Sequence, residues 1–456
     1  MNKKLLIVFI LAFLVRLIAL NQSLWLDEAT TAKVVQHFEF LEIIRKFSPN
    51  DFHPPLYYLF IKLWTNLFGY SEIALRFPSV IFSLLAGVVL YKIAGIWAAV
   101  LFLFNPLIIY YSQEARMYMQ ATFLLTASLY YFIRLCKSGS RNKFGMTKLS
   151  DLLLFNLFNI LSFVTFYGSV FLIASFLLYF LYKKQYRLFF LSLIFHLSSF
   201  IILSPLLFQQ FIHAKQSLQI VINWSLVLGK ASLKNLLLIP LKFSIGRISF
   251  EPKMIYYLIS GIWTAFIFYF TANSGLKNKL FGYLFIFPLV IGFIFSFVSP
   301  LLQYFRFLYL TPILSILLAR NTIIHRYAVV TGFLVFSLIY LSFPQFHRED
   351  WKLLVSVLKN TNSVYMILPS SDPVKYYNSS LTIKELRTLE GVELEKQITV
   401  IPYTTDIYGF DYKRELMKKG FVYKERKDFR GVWYEIWVRN KVYAGSLRYS
   451  LITART

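Results

Sequence analysis

Long apolar runs separated by short basic clusters fill the first three quarters of the chain, and the pattern changes near Phe343. The runs cover roughly 5–20, 77–94, 95–111, 117–135, 150–167, 168–182, 188–207, 254–273, 280–298, 304–319 and 327–343. None alternates apolar with polar positions, so they predict helices rather than barrel strands, the only two structures that satisfy the backbone in lipid. The expected fold is a polytopic α-helical membrane protein with about 11 transmembrane helices over residues 1–343. Several runs fall short of the roughly 20 residues of a usual span. The first run follows Lys3 and Lys4, as a signal peptide would, but Arg16 interrupts it and no small-x-small site follows; a retained helix is expected.

Two connections are long, 21–76 and 208–253. Within the first, Leu56–Phe68 is short for a span and carries Lys62 and Trp64, which suits a helix lying in the interface. After Phe343 the periodicities shorten. Residues 344–456 read as a small extracytoplasmic α/β domain: helix over 350–359, strand Ser363–Leu368, helix Thr382–Arg387, strand Thr399–Tyr403 and helix Asp411–Lys419 stopped by Gly420. A hairpin, Phe421–Phe429 with Val432–Val438 around Arg430-Gly431, completes it.

Composition agrees with the pattern. The chain is 57% hydrophobic and only 15% charged, against about 25% in soluble domains. A net charge of +26 raises nucleic acid as a partner, but 29 of the 48 Lys and Arg precede Phe343 and most sit at the ends of apolar runs. That is the distribution of topology signals and of attraction to anionic head groups, so the expected partner is the bilayer and not nucleic acid. With a cytoplasmic N-terminus, Lys92, Arg134–Lys148, Lys183–Arg187, Lys277 with Lys279, and Arg320 with Arg326 fall in inner loops, and the C-terminal domain lies outside. Nine acids precede Phe343: Asp27, Glu28, Glu39, Glu42, Asp51, Glu72, Glu114, Asp151 and Glu251. All but Asp151 fall on the outer side, which points to chemistry there. One cysteine, Cys136, leaves no internal disulfide and no thiolate metal cluster.

The candidate chemistry is carboxylate chemistry. Asp27-Glu28 stands where the first helix meets water: a general base for a hydroxyl acceptor, or an ordinary cap of the helix that follows. His53-Pro54-Pro55 with Tyr57 forms a rigid turn whose histidine either binds substrate or caps the turn. Glu114 and Arg116, in Ser112–Tyr118, either neutralise each other or act separately, Arg116 on a phosphate and Glu114 on a metal or an acceptor. Arg16, Arg76 and Arg306, the last beside Tyr304, either snorkel to lipid phosphate or hold the phosphate of a substrate.

Taken in order, LDEATT, DFHPPLYYLFIKLW, LRFPSV, YYSQEARMYM, QYFRFLYLTP and EDWKLL resemble the GT-C glycosyltransferase superfamily. Within it the resemblance is to bacterial relatives of dolichyl-phosphate-mannose protein mannosyltransferases and aminoarabinose-lipid A transferases. The resemblance implies an inverting transferase that takes a sugar from a polyprenyl-phosphate donor to a hydroxyl acceptor on protein, lipid or glycan, outside the cytoplasm at the cell membrane. It maps catalytic acids onto Asp27, Glu28 and Glu114, with Arg116 beside the last, while the residues themselves make His53, Tyr57, Arg16, Arg76, Arg116, Tyr304 and Arg306 the expected substrate contacts. No cofactor is required, with Mg or Mn at Glu28 and Glu114 as an option. The chain departs from the family at Gln303 and Lys352, where arginines are usual. Two alternatives stand beside it: a transporter or flippase of lipid-linked glycans, with charges at mid-membrane, and an envelope sensor or scaffold for which Asp27 is dispensable.

Overall fold

The computed structural model describes residues 3–138, 146–358, 361 and 363–439. The eleven apolar runs are helical, with three edits. The run at 95–111 breaks at Asn105, which turns extended and accepts hydrogen bonds from Leu107 N at 2.9 Å and Ile108 N at 3.2 Å. Pro106 then opens a second helix at a position where its missing N–H costs nothing, giving Ile96–Leu103 and Pro106–Ser112. The run at 188–207 continues through Pro205 to form Tyr186–Ile220. The run at 304–319 begins as a tight 3-10 helix, Tyr304–Leu310, before Thr311–Ala319.

Four of the described helices are long and apolar enough to cross a membrane: Glu72–Ala94, Tyr186–Ile220, Lys253–Lys277 and Ile323–Ser342. The other predicted spans are shorter, more polar or interrupted. Tyr186–Ile220 presents Ile201, Ile202 and Phe208 to the outside, each more than half exposed. In water such a stripe would drive association; facing lipid it is the expected surface. Leu56–Phe68 is the helix anticipated for the interface.

The chain divides into two compact units. One comprises Met1–Asn21, Val34–Lys215 and Leu228–His347, and holds the apolar helices. The other joins Gln22–Lys33 and Gln216–Val227 to the chain from Arg348. Its centre is a five-stranded sheet in the order β2-β1-β3-β5-β4, with β1 Ser363–Met366, β2 Thr382–Glu385, β3 Gln397–Val400, β4 Phe421–Phe429 and β5 Val432–Arg439. β1 pairs in parallel with β2 and β3, while β3–β5 and β4–β5 are antiparallel. Alternation along the strands fills two cores: Val364 and Met366 pack with Trp351, Leu354 and Val374, and Tyr365 packs with Val400, Leu416 and Trp437 on the opposite face.

The helix expected over Thr382–Arg387 is strand β2 instead. Its Lys and Glu content suits a helix, but pairing of Thr382 to Glu385 with Ser363 to Met366 overrides that weak preference. The hairpin forms as expected, with Gly431 at φ +75° in its turn.

Candidate functional site

Asp27 and Glu28 open the Leu26–His37 helix, where its unpaired N–H groups favour negative charge. Their surroundings differ. Asp27 is partly exposed. Glu28 is fully buried, with Oε2 3.4 Å from Nε of an equally buried Arg348. Around the pair the C-terminal sheet domain fastens the segment at successive points. Arg348 N donates to Gln22 Oε1 at 3.1 Å, Lys352 N to Ser23 Oγ at 3.1 Å, and Leu24 N to the Tyr377 hydroxyl at 2.8 Å. Asp372 accepts from Thr30 Oγ1 and from Lys33 Nζ, both at 2.8 Å. The Tyr403 hydroxyl donates to Glu349 at 2.9 Å, and burial, then Glu349, then Asp27 push this phenol well above its ordinary range. The adjacent acids thus differ: Glu28 is buried beside a guanidinium, and Asp27 is partly exposed.

In the helical unit, Gln113–Met117 is a non-helical segment between the Pro106–Ser112 and Tyr118–Ser138 helices. Gln113, Glu114 and Arg116 are buried. Irregular backbone is tolerated at such a place only when protein satisfies it. Ser79 Oγ donates to Glu114 O at 2.6 Å; Gln113 Nε2 donates to Arg16 O at 3.0 Å and Ile18 O at 2.6 Å, and its Oε1 accepts from Tyr340 OH at 3.1 Å. Next to this segment Arg116 Nη2 lies 3.4 Å from His53 Nε2, and His53 Nδ1 lies 3.4 Å from Asp51 Oδ1. An arginine can only donate, so the neutral tautomer that fits carries its proton on Nδ1, toward Asp51. Burial alone would raise the Asp51 carboxyl, but His53 and Arg116 hold it below its ordinary value. Gln210 fixes this loop by donating to Ser48 O at 2.7 Å and His53 O at 3.1 Å.

A residue that the sequence did not single out completes the picture. Arg247 stands over the Tyr110 ring at 4.9 Å. It is exposed to solvent; burial by the surrounding protein opposes its charge, and the Glu114 carboxylate favours it. Its position depends on Gly246, at φ +70°, where a Cβ would meet Pro106 Cβ at 3.0 Å. Asn105 Nδ2 donates to Phe243 O at 2.8 Å, docking the Leu233–Ile245 helix on the same break. The visible signal was a basic residue directly after a glycine in a long outer connection.

Residues 52–208 match the family model for dolichyl-phosphate-mannose-protein mannosyltransferase. No curated protein matches the chain by sequence. Among solved structures, ArnT from Cupriavidus metallidurans bound to undecaprenyl phosphate aligns with a TM-score of 0.56 at 12% identity, over 96% of this chain and 98% of that one. The archaeal oligosaccharyltransferase AglB from Archaeoglobus fulgidus, in complex with an inhibitory peptide and a dolichol-phosphate, aligns at 0.52 and 11%, over 95% and 74%. This is the GT-C fold. On a GT-C scaffold the remaining expected site residues fall into two groups. Tyr304 is buried and electrostatically coupled to Arg247, and Arg306 is half-buried, with one nitrogen donating to Pro300 O at 3.0 Å. Tyr57 is buried with its ring 5.5 Å from that of Tyr58. Arg16, by contrast, is fully buried and directs its nitrogens at Ser83 Oγ, Ala12 O and Leu103 O, at 2.7 to 2.9 Å. Arg76, equally buried, donates to Leu20 O at 2.9 Å. Arg16 ties its helix to its neighbours, and Arg76 ties its helix to the chain at Leu20.

A divalent ion finds no fitting donor set. Among the described residues no group of three or more His, Cys, Asp or Glu side chains is placed to hold one. Glu28, expected as a ligand, faces a guanidinium, and Mg or Mn prefers several convergent oxygens.

Proposed function

We propose that the chain is a membrane glycosyltransferase that moves a sugar from a polyprenyl-phosphate donor to a hydroxyl acceptor at the extracytoplasmic face of the cell membrane, with inversion. The observation that carries this reading is the pair of adjacent acids that opens the Leu26–His37 helix on a GT-C fold, with Glu28 buried against Arg348 and Asp27 partly exposed. The undecaprenyl phosphate in the ArnT structure and the dolichol-phosphate in the AglB structure support the donor class.

In the proposed reaction Asp27 takes the proton of the acceptor hydroxyl as its oxygen attacks the anomeric carbon. The bond from that carbon to the phosphate oxygen breaks, and its electron pair leaves with the polyprenyl phosphate. Arg247, Arg116 and Arg306 supply fixed positive charge for the departing phosphate, with His53 and Asp51 orienting Arg116. Glu114 orients donor or acceptor hydroxyls, Tyr57 and Tyr304 contact the donor, and Glu28 with Arg348 positions the helix that carries Asp27. The test is a membrane assay with radiolabelled polyprenyl-phosphate sugars. Label should pass to a hydroxyl acceptor only when the chain is present, and the product should carry the opposite anomeric configuration. Movement of intact lipid-linked sugar across the membrane without transfer would replace this reading with that of a flippase.

A further inference from the structure

Away from these residues, the end of the Lys253–Lys277 helix and the start of the Ile323–Ser342 helix enclose a cavity of about 160 Å³. Lys277, Arg320 and His325 line it together with Asn273, Asn321 and Thr322. No acid lines it. From Lys253 to Ser342 the chain contains no Asp or Glu, and Glu251 lies beyond the far end of a 25-residue helix, roughly 37 Å away at 1.5 Å per residue. The cations therefore lack a carboxylate counter-charge from their own elements.

The lining is also arranged in advance. Arg320 stacks on Phe281 at 5.0 Å and donates to Asn278 Oδ1, which fixes its planar fork. The ring of His325 lies 3.9 Å from that of Phe270, and its Nδ1 is 2.6 Å from Thr322 Oγ1. Both helices are long and apolar enough to span, so their joined ends lie at a membrane surface. Beside them Arg326 lies over Trp97 at 5.8 Å and Tyr327 packs edge-on against the same ring, the aromatic and basic pairing of an interface. A roomy, polar, basic recess between helix ends is suited to a phosphate group, which an arginine fork and amide donors can bind together.

We infer that this cavity is a binding site for a phosphate-bearing anion, either the head group of an anionic phospholipid or a soluble phosphate compound. It is independent of the sugar-transfer reading. The test uses the full chain in mild detergent, with phosphatidylglycerol, phosphatidylcholine and inorganic phosphate as probes in native mass spectrometry and thermal-shift measurements. Lys277→Gln with Arg320→Gln should weaken phosphatidylglycerol retention by roughly tenfold or more, and Lys277→Gln alone, at an exposed position, should weaken it partly. Lys183→Gln with Lys184→Gln, an equal loss of exposed charge in which Lys183 lies over Tyr179 and Tyr182, should leave retention intact. Stabilisation by inorganic phosphate that Arg320→Gln removes, without lipid retention, would support the site with a soluble ligand. Equal retention of phosphatidylcholine, equal loss in the Lys183/Lys184 variant, or unchanged binding of every probe after the double substitution would overturn it.

Discussion

A carboxylate buried next to a guanidinium is costly to separate from it, because the group left behind keeps an uncompensated charge in a low-dielectric interior. Glu28→Gln or Arg348→Gln alone should therefore destabilise the chain by about 3–5 kcal/mol, read as a lowered melting temperature in detergent. The Glu28→Gln, Arg348→Gln double variant should recover much of that loss. Additive losses would mean that the two groups do not act as a pair. The Asp51–His53–Arg116 series makes a different, pH-dependent prediction. Because the folded chain holds the Asp51 carboxyl below its ordinary value, it contributes stability above that value, about 3.9 in an unfolded chain, and the contribution is lost as pH falls through the folded value. Asp51→Asn should lower the melting temperature at pH 7 and have a shrinking effect toward pH 3, whereas a loss constant across that range would show that the carboxylate charge is not what matters. The sequence placed Asp27, Glu28, Glu114, Arg116 and His53 among the candidates, but it could not distinguish Glu28 from its neighbour. That distinction depends on Arg348, some three hundred residues later, and no local pattern encodes it.

At the scale of elements, the apolar runs located the helices because hydrophobic length is read directly from composition. Boundaries failed where a local polar group competed with the run. Asn105 caps its own helix start and breaks a run that hydropathy treats as continuous, and that break is what receives the helix ahead of Arg247. Strand β2 was misread because its lysine and glutamate content describes a surface, not a pairing partner. The docking of Gly246 on Pro106 gives the testable consequence. Gly246→Ala adds a Cβ 3.0 Å from Pro106 Cβ at a backbone φ of +70°, which strains both contact and conformation, at a cost of roughly 1–3 kcal/mol. Transfer by this variant should weaken mainly through a raised apparent KM for the donor, since Arg247 is displaced rather than removed. An unchanged KM would remove Arg247 from the donor site.

At the scale of the whole molecule, the class of protein was legible from hydrophobicity and from the confinement of acids to a few connections, and the order of short motifs pointed to the superfamily whose fold the chain has. The sheet domain's attachment to residues 22–33 was not legible, because it is built from single hydrogen bonds such as Leu24 N to Tyr377 and Lys33 to Asp372. On the proposed reading those bonds account for the sheet domain: it holds the segment bearing the proposed base. The most direct measurement is sugar transfer by Asp27→Asn, an isosteric change at a partly exposed position, in membranes where its abundance and melting temperature match the native chain. Loss of a general base should reduce kcat by about 10²–10⁴-fold with the donor KM little changed; transfer at the native rate would contradict the account.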